Sequence, residues 1–272
     1  MNKGVLMAAA MLLPGIAMAD EWRDWPLGER LKLSAGVFLS DIDTTAAVTQ
    51  KSPFVSGDLI DFEADLGLED DKSAGFMALD WRFFKRHSLN LNYYSLDRDA
   101  VATTPRNLTF DGVTFPSGTE VDTTVDVTVY ELAYSYSILF DESKDLYVGL
   151  GISAQDLDFS IFATQFPSLT VTESFVAPLP TVNAGFDYVL RDDWVLSLKA
   201  GYMDVDATFS DDDFDAKIVA LDAGVRWKPV ENFGVGLYYT SFSVDGQFED
   251  DDIIAELDLE YKGPRLSFDL FF

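Results

Sequence analysis

The sequence has no cysteine and a single histidine among its 272 residues. Without thiols it forms no disulfides, offers no thiol nucleophile and builds no thiolate metal site. One histidine excludes multi-histidine metal centres and leaves room for only one histidine-based catalytic centre. Basic residues are scarce as well: 19 Lys and Arg stand against 47 Asp and Glu, a net charge of −28. A chain with a pI near 4.1 has no basic surface with which to meet phosphates, so nucleic acid is not an expected partner. No phosphate loop or dinucleotide fingerprint is present. Yet 48% of the residues are hydrophobic, far too many for an acidic disordered tail.

Long apolar runs are missing too, apart from one short stretch at the N-terminus. Met1-Asn2-Lys3 supplies a positive start, an apolar run follows from Val5 to Ile16, and Ala17-Met18-Ala19 forms an A-x-A cleavage site before Asp20. The run is shorter than the ~18 residues a spanning helix needs. The expected division is a signal peptide at 1–19, a periplasmic lead-in at 20–30 and a folded domain at 31–272. The exported chain is then either soluble or a membrane protein built from strands.

From residue 31 onward the apolar signal has period 2. Ten segments carry it, near 31–44, 73–84, 88–101, 121–140, 145–163, 178–190, 193–209, 214–228, 232–245 and 253–272. Tight polar turns such as Phe84–His87 and Asp141–Lys144 alternate with longer connections, the longest at 45–72 and 102–120. This alternation predicts an all-β, antiparallel up-and-down transmembrane barrel of ten strands, with eight as the alternative, protruding on its extracellular side. It places the chain in the outer membrane of a Gram-negative cell, with loops at the cell surface and both termini periplasmic.

Parity sharpens the expectation. Near the short turns one face is apolar, as in Leu146, Val148, Leu150 and Ile152, while Gly149, Gly151, Ser153 and Gln155 oppose it. Lipid must be met by hydrocarbon, so the apolar face belongs outside. Towards the long loops the same register inverts: Asp156 and Asp158 face out while Leu157, Phe159 and Ile161 face in. A one-residue slip would flip every side chain, so an inversion repeated across strands reports a barrel that leaves the bilayer.

In the membrane zone the inward parity carries Lys32, Arg82, Lys199, Arg226 and Arg265 together with Asp80, Glu131, Asp187, Asp222 and Asp269. A barrel this small is about wide enough for side chains to fill, and unpaired buried charges are costly. The expectation is a salt-bridged lumen, with a narrow gated conduit as the alternative. The apolar interior above it includes Val127, Val129, Phe159, Ile161, Phe209, Leu257 and Leu259, with Ile60, Phe62, Leu66 and Leu68 from the long connection. These residues read either as a packed core with a plug or as a pocket for a small hydrophobic ligand entering from outside. The chain closes with Leu266, Phe268, Leu270 and Phe272 on one face after Gly263, a terminal strand resembling the signal that barrels present to the barrel-assembly machinery.

The runs Gly57–Leu68, Trp81–His87, Ala177-Pro178-Leu179-Pro180 and Lys262-Gly263-Pro264 resemble a proteobacterial outer-membrane β-barrel family defined by its architecture. The resemblance implies fold and location and carries no site with it. Omptin-like proteases also use ten strands but need a surface His near Asp, and lipid-modifying barrels need a His as well. His87, the only histidine, sits in a tight turn on the expected periplasmic side, so no enzyme of these types is expected. Three acidic clusters, Glu69–Asp71, Asp211–Asp213 and Glu249–Asp252, lack the spacing of a calcium loop. They read as solvated loops that hold divalent cations at most loosely, and no cofactor is expected. The expected partners are outer-membrane lipid and lipopolysaccharide.

Overall fold

The computed structural model describes residues 21–166, 168–209 and 212–272. The expected signal peptide and Asp211 lie outside the described residues. After a short 3-10 turn at Glu21–Asp24, the elements in chain order are β1 (Leu31–Lys51), β2 (Phe54–Val55), β3 (Ile60–Asp61), β4 (Asp71–Phe84), β5 (His87–Thr103), β6 (Leu108–Phe110), β7 (Val113–Phe115), β8 (Glu120–Phe140), β9 (Lys144–Ala163), β10 (Thr170–Arg191), β11 (Trp194–Phe209), β12 (Asp212–Val230), β13 (Phe233–Glu249) and β14 (Ile253–Phe271). The ten long strands pair antiparallel in chain order, and β1 closes on β14 from Lys32↔Phe271 to Gln50↔Ile253. The result is a ten-stranded up-and-down barrel. Four short strands stay off the wall path or at its end.

Strand boundaries follow the period-2 segments closely, with two main differences. The first strand runs on to Lys51, seven residues past the expected end at 44 and into the expected connection at 45–72, because its partner β14 continues beside it to Ile253. The sixth wall strand begins at Thr170, eight residues before the expected start at 178. Pro178 and Pro180 hide its first half, because proline removes a ladder donor and reads as a strand breaker. Both nonetheless keep their rungs with β9, opposite Ala154 and Ile152.

The inversion of faces is present in the wall. Near the short turns the outward side chains of β9 are exposed, with Leu150 66% accessible, while Gly149, Ser153 and Gln155 are buried. Aromatic rings mark both borders of this apolar belt. At the turn end, Trp194 stacks on Trp227 at 6.2 Å. Higher up, Tyr93 packs on Tyr130 at 5.3 Å, and Tyr202 and Tyr239 point outward beside them in height. Along β11, Trp194 to Tyr202 is a rise of roughly 26 Å, or about 20 Å across a wall tilted by ~40°.

Immediately above Tyr202 the exterior turns acidic. Asp126 is directly opposite both Asp97 and Asp158. Asp206 faces Asp215, Asp43 faces Glu260, and Asp245 faces Asp258. Like charges directly opposite are destabilising, so these rungs are tolerable only in water. Burial, then Asp245, Glu260 and Asp43, push the Asp258 carboxyl above the usual carboxylate range. The folded chain therefore holds this proton more tightly than the unfolded chain, and the fold is penalised once pH rises through the raised value. Asp258→Asn should raise the melting temperature at pH 8 by an increment worth less than about 1 kcal/mol, since the site is exposed. The gain should vanish below about pH 4, where both states carry the proton; thermal melts of the detergent-solubilised barrel at the two pH values measure it.

Candidate functional site

Among the described residues, chemically active side chains converge in the lumen, and it is built in four layers. The lowest is a lid. Residues 21–30 fold back across the turn end, where Trp22 and Leu27 are buried with Phe140 and Val195. Trp22 meets Phe140 edge-on at 6.1 Å, and the Arg82 guanidinium lies 4.2 Å from the Phe140 ring centre. Gly28 lets the chain turn this tightly, since a Cβ there would fall 1.9 Å from the Trp22 carbonyl oxygen. Glu29 ties the lid to the wall through Lys228 at 2.8 Å.

Above the lid lies the charged layer, where every charge expected from parity is present. Lys32 pairs with Asp80 at 2.7 Å and Arg265 with Asp222 at 2.7 Å. Arg82 pairs with Asp145, a side chain only 1% exposed that the inward parity of β9 contained but that the sequence reading passed over. Glu131 accepts a hydrogen bond from Asn92 at 3.0 Å instead of an ion pair. Lys199 lies within electrostatic reach of Tyr147, Asp80, Asp187 and Asp222 without pairing directly with any of them. Arg226 faces Asp187 and Asp269 over a longer distance and packs against the Phe271 ring at 5.1 Å. The layer is thus partly a set of direct pairs and partly a looser network around a cavity of about 120 Å³.

Glycine on the inward parity has a second use here. A Cβ on Gly185 would stand 2.2 Å from the Tyr147 ring, and one on Gly224 would stand 2.3 Å from the Tyr238 ring. These glycines are the recesses that let two large rings lie flat against the wall in a narrow lumen.

The third layer is an aromatic shelf. Phe242 stacks on Tyr261 at 4.7 Å, Phe38 meets Tyr261 at 5.7 Å, and the Tyr94 and Tyr261 hydroxyls are hydrogen-bonded to each other. Between the shelf and the charged layer is a second cavity, of about 250 Å³.

The fourth layer closes the loop end. Ile60, Phe62, Leu66 and Leu68 join Val127, Val129, Ile161 and Leu259 in one core, with Phe159 and Leu257 packed against it. Of the two readings left open by the sequence, these residues form the plug. Phe209 ends β11, and its side chain lies outside the described set. The segment is not a continuous strand. After β3 pairs with β1 at Ile60↔Ala46, residues 61–65 make a helical turn: the Asp61 carboxylate accepts the Ala64 N–H at 2.7 Å, and Asp65 N–H donates to the Asp61 carbonyl. Ala64 therefore points to solvent, breaking the even-inward parity.

A second insert, the hairpin β6–β7, adds Leu108, Phe110 and Phe115 to the same core. Its turn is Asp111-Gly112, both with positive φ, and Asp-Gly between alternating apolar residues is a strong short-range hairpin signal. The signal lies within the long connection 102–120. The plug is anchored by Arg98, which is 2% exposed and donates to Glu63 and to Thr44 Oγ1. The Thr44 N–H in turn donates to Glu63 at 2.9 Å.

His87 lies at the opposite end, among the rings of Phe83, Phe84, Tyr134 and Tyr136, with Nδ1 2.7 Å from the Tyr134 hydroxyl. Of the acidic loop residues, Asp250 caps its turn, accepting the N–H groups of Asp252 and Ile253, both at 2.7 Å. Among the described residues no three His, Asp or Glu side chains converge as a metal site would require. Leu266, Phe268, Leu270 and Phe272 all face outward on β14 and its end. Gly263 allows β1 to approach, since a Cβ there would fall 1.9 Å from the Leu39 carbonyl oxygen.

No protein-family model matches the chain, and no curated protein matches it significantly. Among solved structures it is similar to the outer membrane protease OmpT of Escherichia coli, with TM-score 0.59 and 9% identity over 89% of this chain and 96% of that one. It also matches the outer membrane protein OprG of Pseudomonas aeruginosa, with TM-score 0.42 and 10% identity over 88% and 94% of the two chains. The toluene transporter TodX of Pseudomonas putida follows, with TM-score 0.37 and 7% identity over 92% of each. At these identities the OmpT likeness supports the barrel fold alone.

The Arg98–Glu63 pair generates a direct test. Arg98→Met leaves Glu63 facing an apolar core and should cost about 3 kcal/mol. Limited proteolysis should then cut within 52–70 while the wall stays intact. The double variant Arg98→Met/Glu63→Leu should recover most of the loss, a coupling that urea melts of the four proteins would measure.

Proposed function

We propose that the protein is an outer-membrane barrel of a Gram-negative cell whose lumen is closed to through-diffusion and whose role is structural or surface-interacting. In this reading residues 1–19 are the export signal, 31–272 insert in the membrane, and the lid end with both termini is periplasmic. The outward row ending in Phe272 is the feature offered to the barrel-assembly machinery. The apolar belt between two aromatic borders supports the membrane placement, because amphipathic rings favour both interfaces. The acidic exterior above it supports an outward direction, with lipopolysaccharide and loosely held divalent cations as its surroundings.

The observation that carries the closed reading is the double closure: residues 21–30 seal one end, and the plug anchored by Arg98–Glu63 fills the other. The position of His87, in a ring cluster at the end remote from the acidic loops, supports a non-enzymatic role. A second reading, binding of a small hydrophobic molecule, is favoured by the cavity of about 250 Å³ beneath the aromatic shelf.

Planar-bilayer recording of the refolded protein should show no unitary conductance, and liposomes carrying it should swell in sugar solutions no faster than empty ones. Steady single-channel steps would overturn the closed reading.

A further inference from the structure

Among the described residues, the seam between β10 and β11 stops short. The β10–β11 ladder runs from Arg191↔Trp194 only to Val182↔Tyr202. Beyond it β10 continues against β9 to Thr170↔Phe162, and β11 against β12 to Phe209↔Asp212. For 171–181 on one strand and 203–209 on the other, the facing edges have no partner strand among the described residues. The β4–β5 ladder also ends early, at Gly75↔Ser95, but there the plug fills the interval through β3 and Arg98–Glu63. No described strand pairs into the β10–β11 split.

Its cause is legible in the chain. Pro178 and Pro180 are two residues apart, so their missing donors face the same side. Because their rungs with β9 persist, the missing N–H groups belong on the β11 side, where proline is tolerated only at an edge. The split starts level with Tyr202, at the upper border of the apolar belt. Its inner side is barred by Leu179 from β10 and Met203 from β11, both 4% exposed and packed together with Ile218 and Val244.

Next to this bar lies the cavity of about 250 Å³, which the split meets at Thr181, with the last intact rungs, including Asn183↔Gly201, forming the wall just below it. An apolar cavity of ~150 Å³ is known to hold benzene, so this one takes a molecule of one or two rings. Its roof is the shelf of Tyr94, Phe242 and Tyr261. In the floor Asn183 makes one long hydrogen bond, to Thr181 Oγ1 at 3.4 Å, which leaves its carbonyl oxygen free to accept. Gly201 keeps that oxygen clear, since a Cβ there would come within 3.1 Å of it. The charges that line the cavity, Glu131 and Asp222 against Lys199 and Arg265, balance, so no net field recruits an ion.

We propose that the β10–β11 split is a side entrance through which an uncharged aromatic alcohol passes between the membrane border marked by Tyr202 and this cavity, Leu179 and Met203 being the movable bar. The lid and plug leave the side as the way in, so the inference rests on the closed-lumen reading. The two fail separately: conductance would overturn the closed lumen, whereas the test below reads binding and its rates.

The probe is 1-naphthol, with naphthalene-1-sulfonate as its charged counterpart, binding to the refolded barrel in proteoliposomes and followed by stopped-flow fluorescence against protein-free liposomes. Saturable one-site binding of naphthol is expected, with the sulfonate at least tenfold weaker. Gly201→Val should weaken affinity at least tenfold. Pro178→Val/Pro180→Val, which restores the donors and lets the ladder extend, should slow association and dissociation together at least tenfold with affinity unchanged. Met203→Ala should speed both. Heat-modifiable electrophoretic migration confirms that each variant is folded. Absence of saturable naphthol binding to the wild-type barrel, equal binding of the sulfonate, or rates indifferent to both seam variants would overturn the proposal.

Discussion

A wall that meets hydrocarbon must satisfy every backbone N–H and C=O within itself, and the pairing of β1 with β14 supplies the last set. Everything else in the molecule is arranged around that closure. Because the ring is fixed in register, each side chain has a determined face. Because the strands are longer than the apolar belt, the same ring passes from one solvent to another. The wall answers by exchanging the roles of its two faces at the level of Tyr93, Tyr130, Tyr202 and Tyr239. Below them leucine, valine and tryptophan face out and charges face in; above them the arrangement is reversed.

Much of this was legible in the sequence because a barrel wall depends on local, period-2 information. The ten strands, the inversion, the lumenal charges and the outward terminal row follow from parity alone, and parity also contained Asp145. The interior inserts were less legible because they obey no single period. Residues 57–68 alternate like a strand, yet the carboxylate of Asp61 caps a helical turn that diverts Ala64 to solvent. Arg98 sits between Leu96 and Ala100 in the upper row of β5, and its meaning depends on Glu63, 35 residues away. Asp111-Gly112 was a usable signal for the hairpin that completes the core. The break between β10 and β11 left a trace in Pro178 and Pro180, but a proline pair states only which bonds are missing and not which neighbour loses them.

The lumen shows how a narrow barrel accommodates charge. Direct pairs at Lys32–Asp80, Arg82–Asp145 and Arg265–Asp222 span the wall between strands, and rings laid over Gly185 and Gly224 occupy the space that unpaired charge would otherwise have to fill. Lys199, Arg226, Asp187 and Asp269 share a field instead of a contact. Such an interior resists both hydrophobic collapse and flooding, and it separates the lid from the cavity above.

The lid also sets an order of events. Its partners Phe140, Val195 and Lys228 belong to β8, β11 and β12, all far later in the chain than Trp22, Leu27 and Glu29. Leu31, at the lid's end, exchanges backbone hydrogen bonds with Phe272, the final residue. The docked position of residues 21–30 therefore does not exist until nearly the whole ring has formed. The segment that leads the folded chain is the last to find its place, and its docking reports a finished barrel.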